Sequence, residues 1–221
     1  MATTNSNAPR GLIPYRHFDG SYYNGSGNIY SVPTSIATNL FIGDPVDIVS
    51  GSNDGSGIPS IKIGVVGSPI IGAIIGIADG GDPVTAVTRD LPIYHPASTL
   101  QYVLVADDPN LIFMIQDDGS AFGTASTLWA GKNAALASGT GSTITGYSGW
   151  QMASSLVATT GTLDLKIMRP LPQPDNAVSA TINTNQNAKW LVKLYSRLAR
   201  MVWLRLRKQE VMTLISTTPK V

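Results

Sequence analysis

The chain has 221 residues, 43% of them hydrophobic, which is enough for one large β domain or two small ones around a substantial core. Only 13% are charged, about half the share of an ordinary globular domain. Such a surface dissolves poorly alone and is expected to be covered by partners. The absence of Cys excludes a disulfide framework, a thiolate metal site and a cysteine nucleophile. The formal net charge is +1, but it is unevenly spread. Up to Ala188 there are 7 Lys and Arg against 13 Asp, a balance of −6; from Lys189 onward there are 8 against Glu210, a balance of +7. The first residues, Met1 to Arg10, hold no apolar stretch of the signal-peptide kind, so nothing in them argues for secretion.

Residues 1–28 contain Pro9, Pro14 and the turn pairs Asp19-Gly20 and Asn24-Gly25, without a period of 2 or 3.6. They read as an extended N-terminal arm. Its Arg10, Tyr15, Arg16, His17, Phe18, Tyr22 and Tyr23 are residue types enriched in interface cores, though the aromatics could equally cover the domain's own sheet. From Asn28 the pattern turns to strands: Ile29 to Val32, Leu40 to Ile42 and Val46 to Val49, with Gly43-Asp44-Pro45 a turn and Ser50 to Gly57 a loop. Ile58 to Ala78 is apolar, β-branched and punctuated by Gly64, Gly67, Gly72 and Gly76. A membrane span would need about 20 apolar residues without Pro69, so strands with bulges or close backbone approaches are preferred.

After a short strand at Val84 to Thr88 comes the clearest pattern of the chain. Tyr102 to Ala106 and Leu111 to Ile115 are strand-length apolar runs flanking Asp107-Asp108-Pro109-Asn110, with Pro109 suited to the second position of a tight turn. They read as a β-hairpin covered on both faces, because neither run alternates. Gly119 to Ser142 is rich in small residues, with a short helical turn expected around Asn133 to Ala137, and strands follow near Thr143 to Thr145 and Leu156 to Ala158. Thr162 to Met168 alternates, placing Leu163, Leu165 and Ile167 on one face and Asp164 and Lys166 on the exposed one. Pro170, Pro172 and Pro174 end the regular body. Ala188 to Tyr195 fits a strand with Trp190, Val192 and Leu194 inward, and a helix is favoured over Ser196 to Arg207.

Parts for catalysis are scarce. His17 and His95 are the only imidazoles, and each reads as a satisfied or interfacial residue. Gly146-Tyr147-Ser148-Gly149 misses the nucleophile elbow by one residue, and Gly131-Lys132 lacks the rest of a phosphate-binding loop. Asp107-Asp108 and Asp117-Asp118 could hold a hard cation, but adjacent Asp residues in turns are usually just solvated turn residues. A single Glu in the chain makes a general-acid pair a poor expectation. The basic C-terminal segment suits docking on an acidic partner better than nucleic-acid binding.

Several fragments in fixed order carry a family likeness: Arg10-Gly-Leu-x-Pro-Tyr-Arg, Asp19-Gly-Ser-x-Tyr-Asn24-Gly, the Val32-Pro start of a strand, Gly43-Asp-Pro-Val46, Ser98-Thr-x-x-Tyr102-Val-Leu-Val-x-Asp107-Asp-Pro-Asn, Gly141-Ser-Thr-x-Thr-Gly-x-Ser-Gly149, Leu165-Lys-Ile and Asn187-Ala-Lys-Trp-Leu-Val-Lys193. Over residues 10–193 the chain resembles the head cement (decoration) proteins of tailed bacteriophages, and it departs from them in continuing through residues 194–221. The resemblance implies a non-enzymatic, cofactor-free protein on the capsid exterior, made in the host cytoplasm. It would bridge subunits of the major capsid protein as a homotrimer, without small-molecule substrate, nucleic acid or membrane, and stabilise the shell. A phage tail or fibre component, or a receptor- or glycan-binding module, is the alternative. The resulting expectation is an all-β protein with a β-sandwich or barrel-like body at residues 29–175, an N-terminal arm at 1–28 and a basic C-terminal extension, helical or arm-like, at 176–221. Its expected capsid or subunit contacts are Arg10, Tyr15, Arg16, Tyr22, Tyr23, Trp190, Arg205 and Arg207, with no catalytic, cofactor or metal residues.

Overall fold

The β-branched and aromatic runs form eleven strands in two sheets, and no α-helix occurs among the described residues, which in the computed structural model are 5–78, 92–119, 129–161, 163–178 and 186–195. Five strands, β2 (Asn28–Val32), β3 (Pro45–Asn53), β4 (Pro59–Ile63), β5 (Gly72–Ala78) and β6 (Gln101–Ala106), close on themselves in the order β2-β4-β3-β5-β6. The other six, β1 (Ile13–His17), β7 (Leu111–Gln116), β8 (Asn133–Ala137), β9 (Gln151–Ala158), β10 (Leu165–Pro170) and β11 (Lys189–Leu194), form an antiparallel sheet in the order β1-β7-β11-β10-β8-β9.

Alternation decides what each strand buries. Inside the barrel Val32, Val46, Ile61, Ile74, Val103 and Val105 are fully excluded from solvent. In the six-stranded sheet Phe113, Ile115, Leu165, Ile167, Trp190 and Val192 share one face, joined by Leu12 and by Ala73 and Ala106 from the barrel side. That shared cluster ties the two sheets together, each large side chain contributing about 1.5–3 kcal/mol by leaving water.

The central pair of strands is where sequence pattern and tertiary pairing part. Tyr102 to Ala106 and Leu111 to Ile115 are strands, and Asp108 to Leu111 is a tight turn closed by the Leu111 N–H donating to the Asp108 carbonyl at 3.0 Å, with Pro109 in its second position. The two strands do not form the expected hairpin. β6 pairs with β2 and β5, whereas β7 pairs with β1 and β11, so the turn is the corner where the chain passes from one sheet to the other. The lack of alternation has the same origin, since both strands are internal to their sheets and most of their side chains are buried, with Tyr102, Leu104 and Met114 partly exposed.

Other expectations are corrected by the same competition for strand edges. Asn133 to Ala137 is not helical: Ala-rich as it is, it is held between β9 and β10, and tertiary pairing overrides its helical propensity. Thr143 to Thr145 is a turn instead of a strand, with the Ile144 and Thr145 N–H groups donating to the Ser142 hydroxyl, and Leu40 and Ile42 make only single bridges, to His95 and Tyr147. β3 continues through Asn53, shortening the expected loop. Asp164 is buried, not on the exposed face, because it precedes β10 and its carboxylate accepts the N–H groups of Gly67 (2.9 Å) and Leu136 (3.1 Å).

The strands also cut across the expected segments. β1 lies within residues 1–28 and pairs with β7, so this part of the arm is an edge strand. β11 lies within 176–221 and runs between β7 and β10 in the middle of the sheet. The expected strand at Val84 to Thr88 and the expected helix over Ser196 to Arg207 lie outside the described residues.

Candidate interaction surfaces

Three segments distant in sequence, around Gly11, Gly43 and Gly146, meet in one glycine-packed junction. The Leu12 N–H donates to the Gly43 carbonyl (2.8 Å), the Ile42 N–H to Gly146 (2.9 Å) and the Ser148 N–H to Ile42 (2.9 Å). A Cβ on Gly11 would overlap the Gly43 carbonyl, one on Gly43 would overlap the Arg10 carbonyl, and one on Gly141 would enter the Phe41 ring. Gly11 and Gly43 also have φ of 67° and 95°, so glycine is required twice over. At the centre Asp44 is buried, its carboxylate accepting the Phe41 N–H at 2.8 Å. Burial pushes this carboxyl up to about 6, against the opposing hydrogen bonds from Ser148 and Phe41.

The junction presents apolar side chains to solvent from a rigid base. Ile144 at the tip of the 142–146 turn is 87% exposed, and Ile93, whose carbonyl abuts Gly146, is half exposed. Phe41 stacks on Tyr94 with ring centres 5.3 Å apart, and the Arg10 guanidinium lies 4.8 Å above the Tyr147 ring. Sequence reading missed Ile93, which stands between Pro92 and Tyr94, and Ile144, a lone Ile in a Ser/Thr-rich loop, because neither carries a periodic signal.

The expected contact residues fall into four groups. Arg10, Tyr15 and Tyr22 are exposed, with Tyr22 at 94%, and Phe18 beside them is exposed as well. Arg16 and Tyr23 are partly buried: Arg16 bridges to Tyr22, while Tyr23 packs on the main core and its hydroxyl donates to the Ser26 carbonyl at 2.8 Å. Partial burial, and then nearby Asp107, raise the Tyr23 hydroxyl above its ordinary pKa. Trp190 is corrected outright. It has no exposure and sits at the centre of the sheet, where its indole packs 5.2 Å from that of Trp129, so it is a core residue and not a contact. Arg205 and Arg207 lie outside the described residues.

The Asp pairs and the histidines are engaged within the fold. Asp107 accepts the Tyr30 hydroxyl (2.6 Å) and the Asn28 amide, and Asp108 accepts the Asn110 N–H (2.7 Å) and faces His17 Nδ1 at 3.1 Å. Asp117 is buried, accepting N–H groups from Gly119, Asn187 and Trp190, and burial again raises its carboxyl to about 6. His95 is fully buried with Nε2 2.8 Å from the Thr99 carbonyl, and desolvation lowers its pKa. Among the described residues no three His, Cys, Asp or Glu side chains are grouped to hold a metal ion, and no helix is long and apolar enough to cross a membrane.

A cavity of about 260 Å³ opens where the two sheets meet, between Tyr30, Ile70, Asp107, Leu111, Phe113 and Leu194. A second, of about 270 Å³, lies between Ala8, Arg10, Met114, Gln116, Gln173 and Lys189. Comparison of this chain with protein families, curated proteins and solved structures gives no match.

Proposed function

We propose that this protein acts by adhesion, as a capsid cement or decoration protein that binds the outer surface of an icosahedral phage head, bridges coat subunits and stiffens the shell against internal pressure. The carrying observation is that exposed apolar and aromatic side chains are held on fixed backbone: Tyr15, Phe18 and Tyr22 around edge strand β1, and Ile93 and Ile144 on the glycine-packed junction. Preorganised anchors of this kind lose little entropy on docking, and repetition over a lattice raises effective concentration, so each contact can be modest. The low charged fraction of the sequence, 13%, agrees with a surface covered by neighbours. The family likeness adds to this reading, since fragments that carry it build the junction. On this reading the two sheets are the barrel-like or sandwich body, the residues ahead of β1 and beyond β11 are its arms, and the working unit is a homotrimer.

Removing residues 1–28 would delete β1 and the buried Leu12, so it would test folding rather than docking. Labelling of particles with antibody against this chain, followed by electron microscopy, is the direct test. Even labelling over the head supports the proposal. Label confined to the tail or to host cells would overturn it in favour of a tail, fibre or receptor-binding component.

A further inference from the structure

The outward face of the six-stranded sheet carries an arrangement of charge that nothing else in the fold explains. In antiparallel pairs, residues in register point to the same side. Arg16, Ile112, Lys193 and Lys166 form one such row across four strands, and Ile13, Met114, Leu191 and Arg169 form the next. Lys189, in register with Gln116, adds a fifth cation. Between the cations Ile112, Leu171 and Leu191 form a buried apolar cluster, and the half-buried thioethers of Met114 and Met168 at its edge are what it presents to solvent. The one ion pair described on this face joins Lys189 to Asp175 at 3.4 Å.

Lys166 and Lys193 stand directly opposite each other across β10 and β11, a like-charge pairing that destabilises a sheet. The two ammonium groups turn apart: Lys166 donates to the Gly131 carbonyl, and Lys193 rests 4.8 Å above the Phe18 ring. A carboxylate placed between them would relieve the repulsion. The chain's own C-terminal segment cannot supply it in quantity, because residues 196–221 carry six Lys and Arg against one Glu.

We infer that this face docks an acidic protein surface, one presenting Asp or Glu side chains around apolar residues that meet Met114, Met168 and the rim aromatic Phe18. Nucleic acid fits less well, because a phosphate backbone offers nothing to the Met114 and Met168 thioethers. The inference rests on the adhesion reading only in taking the partner to be the coat, and it names the chemistry that coat surface must have.

The test measures binding of the full chain to fluorescently labelled poly-L-glutamate, with a duplex DNA of equal charge in parallel. Arg169→Glu/Lys193→Glu should weaken polyglutamate binding roughly tenfold or more, with the neutral Arg169→Gln/Lys193→Gln intermediate and the barrel control Lys62→Glu close to the parent. Circular dichroism and thermal melting of the neutral pair guard against misfolding. Unchanged binding by both sheet variants, an equal loss in Lys62→Glu, or tighter binding to the duplex than to polyglutamate would overturn the inference. If polyglutamate binding behaves as stated but particles carry no label on their heads, the docking face stands and the capsid reading falls.

Discussion

The indole N–H of Trp190 donates to the buried carboxylate of Asp117 at 3.0 Å, joining the end of β7 to the middle of the sheet. The other carboxylate oxygen accepts the N–H groups of Gly119 (3.0 Å) and Asn187 (2.8 Å), so one side chain satisfies a buried indole and two partly buried amides. Asp117→Ala should therefore cost about 2–4 kcal/mol, because it leaves the buried indole N–H and two partly buried amides without their acceptor. Trp190→Phe should cost about 1–3 kcal/mol, and a double-mutant cycle in urea should return a coupling of about 1–2 kcal/mol. Additive losses would mean that the bond contributes nothing beyond packing.

Acidification from neutral pH should strengthen the fold. Asp44 and Asp117 both have carboxyls raised to about 6, from the ordinary value of 3.8, chiefly by burial. Between those values the folded chain binds more protons than the unfolded chain, so unfolding free energy rises as pH falls through this window. The contribution is complete below about 3.8 and lost as pH rises through about 6, and each group is worth up to about 2–3 kcal/mol. Asp54 acts oppositely and lower. Against desolvation, which would raise it, hydrogen bonds from Ser56, Tyr102 and Ile58 bring its carboxyl to about 2, so stability falls again as pH drops below 3.8. The urea midpoint should be higher at pH 5 than at pH 7, and less so in Asp117→Asn; a lower midpoint at pH 5 would contradict the assignment.

The glycine junction should be far less tolerant than the glycine turns of the surface. At Gly43 both a φ of 95° and the Arg10 carbonyl oppose a side chain, whereas Gly20 has the same φ of 95° with open space around it. Gly20→Ala should cost about 1 kcal/mol of backbone strain, and Gly43→Ala several kcal/mol because the N-terminal segment must be displaced as well. Comparing the two melting transitions separates conformational strain from steric overlap.

Exposed Tyr22 and buried Trp190 should respond in opposite ways to truncation. Tyr22→Ser should change stability by less than about 0.5 kcal/mol and, on the proposed adhesion, weaken attachment to shells. Trp190→Ala should cost about 3–5 kcal/mol through the cavity it leaves, and should lower attachment only by unfolding the chain. A Tyr22→Ser protein that decorates shells like the parent would remove this edge from the docking surface.

The sequence determined which segments are strands wherever apolar, β-branched runs were bounded by strong turn chemistry. Asp108-Pro109-Asn110 and the runs beside it are placed correctly because a proline-preset φ and Asx hydrogen bonding are local effects. Alternation likewise picked out Leu165 and Ile167, and Trp190 and Val192, as inward residues. Only the tertiary structure decided which strands pair. β6 and β7 flank a tight turn yet belong to different sheets, and Ala-rich β8 is a strand because β9 and β10 satisfy its backbone. The candidate surfaces were legible to the same extent. Exposed residues ahead of β2 such as Tyr22 could be named from residue type, but Trp190 belongs to the core, and the basic face appears only when Arg16, Lys166, Arg169 and Lys193 are brought into register from three strands. Hydrogen bonding along one turn is fixed by neighbours in the chain, whereas the choice of strand partner is fixed by which faces can be buried together, and that is a property of the assembled sheets.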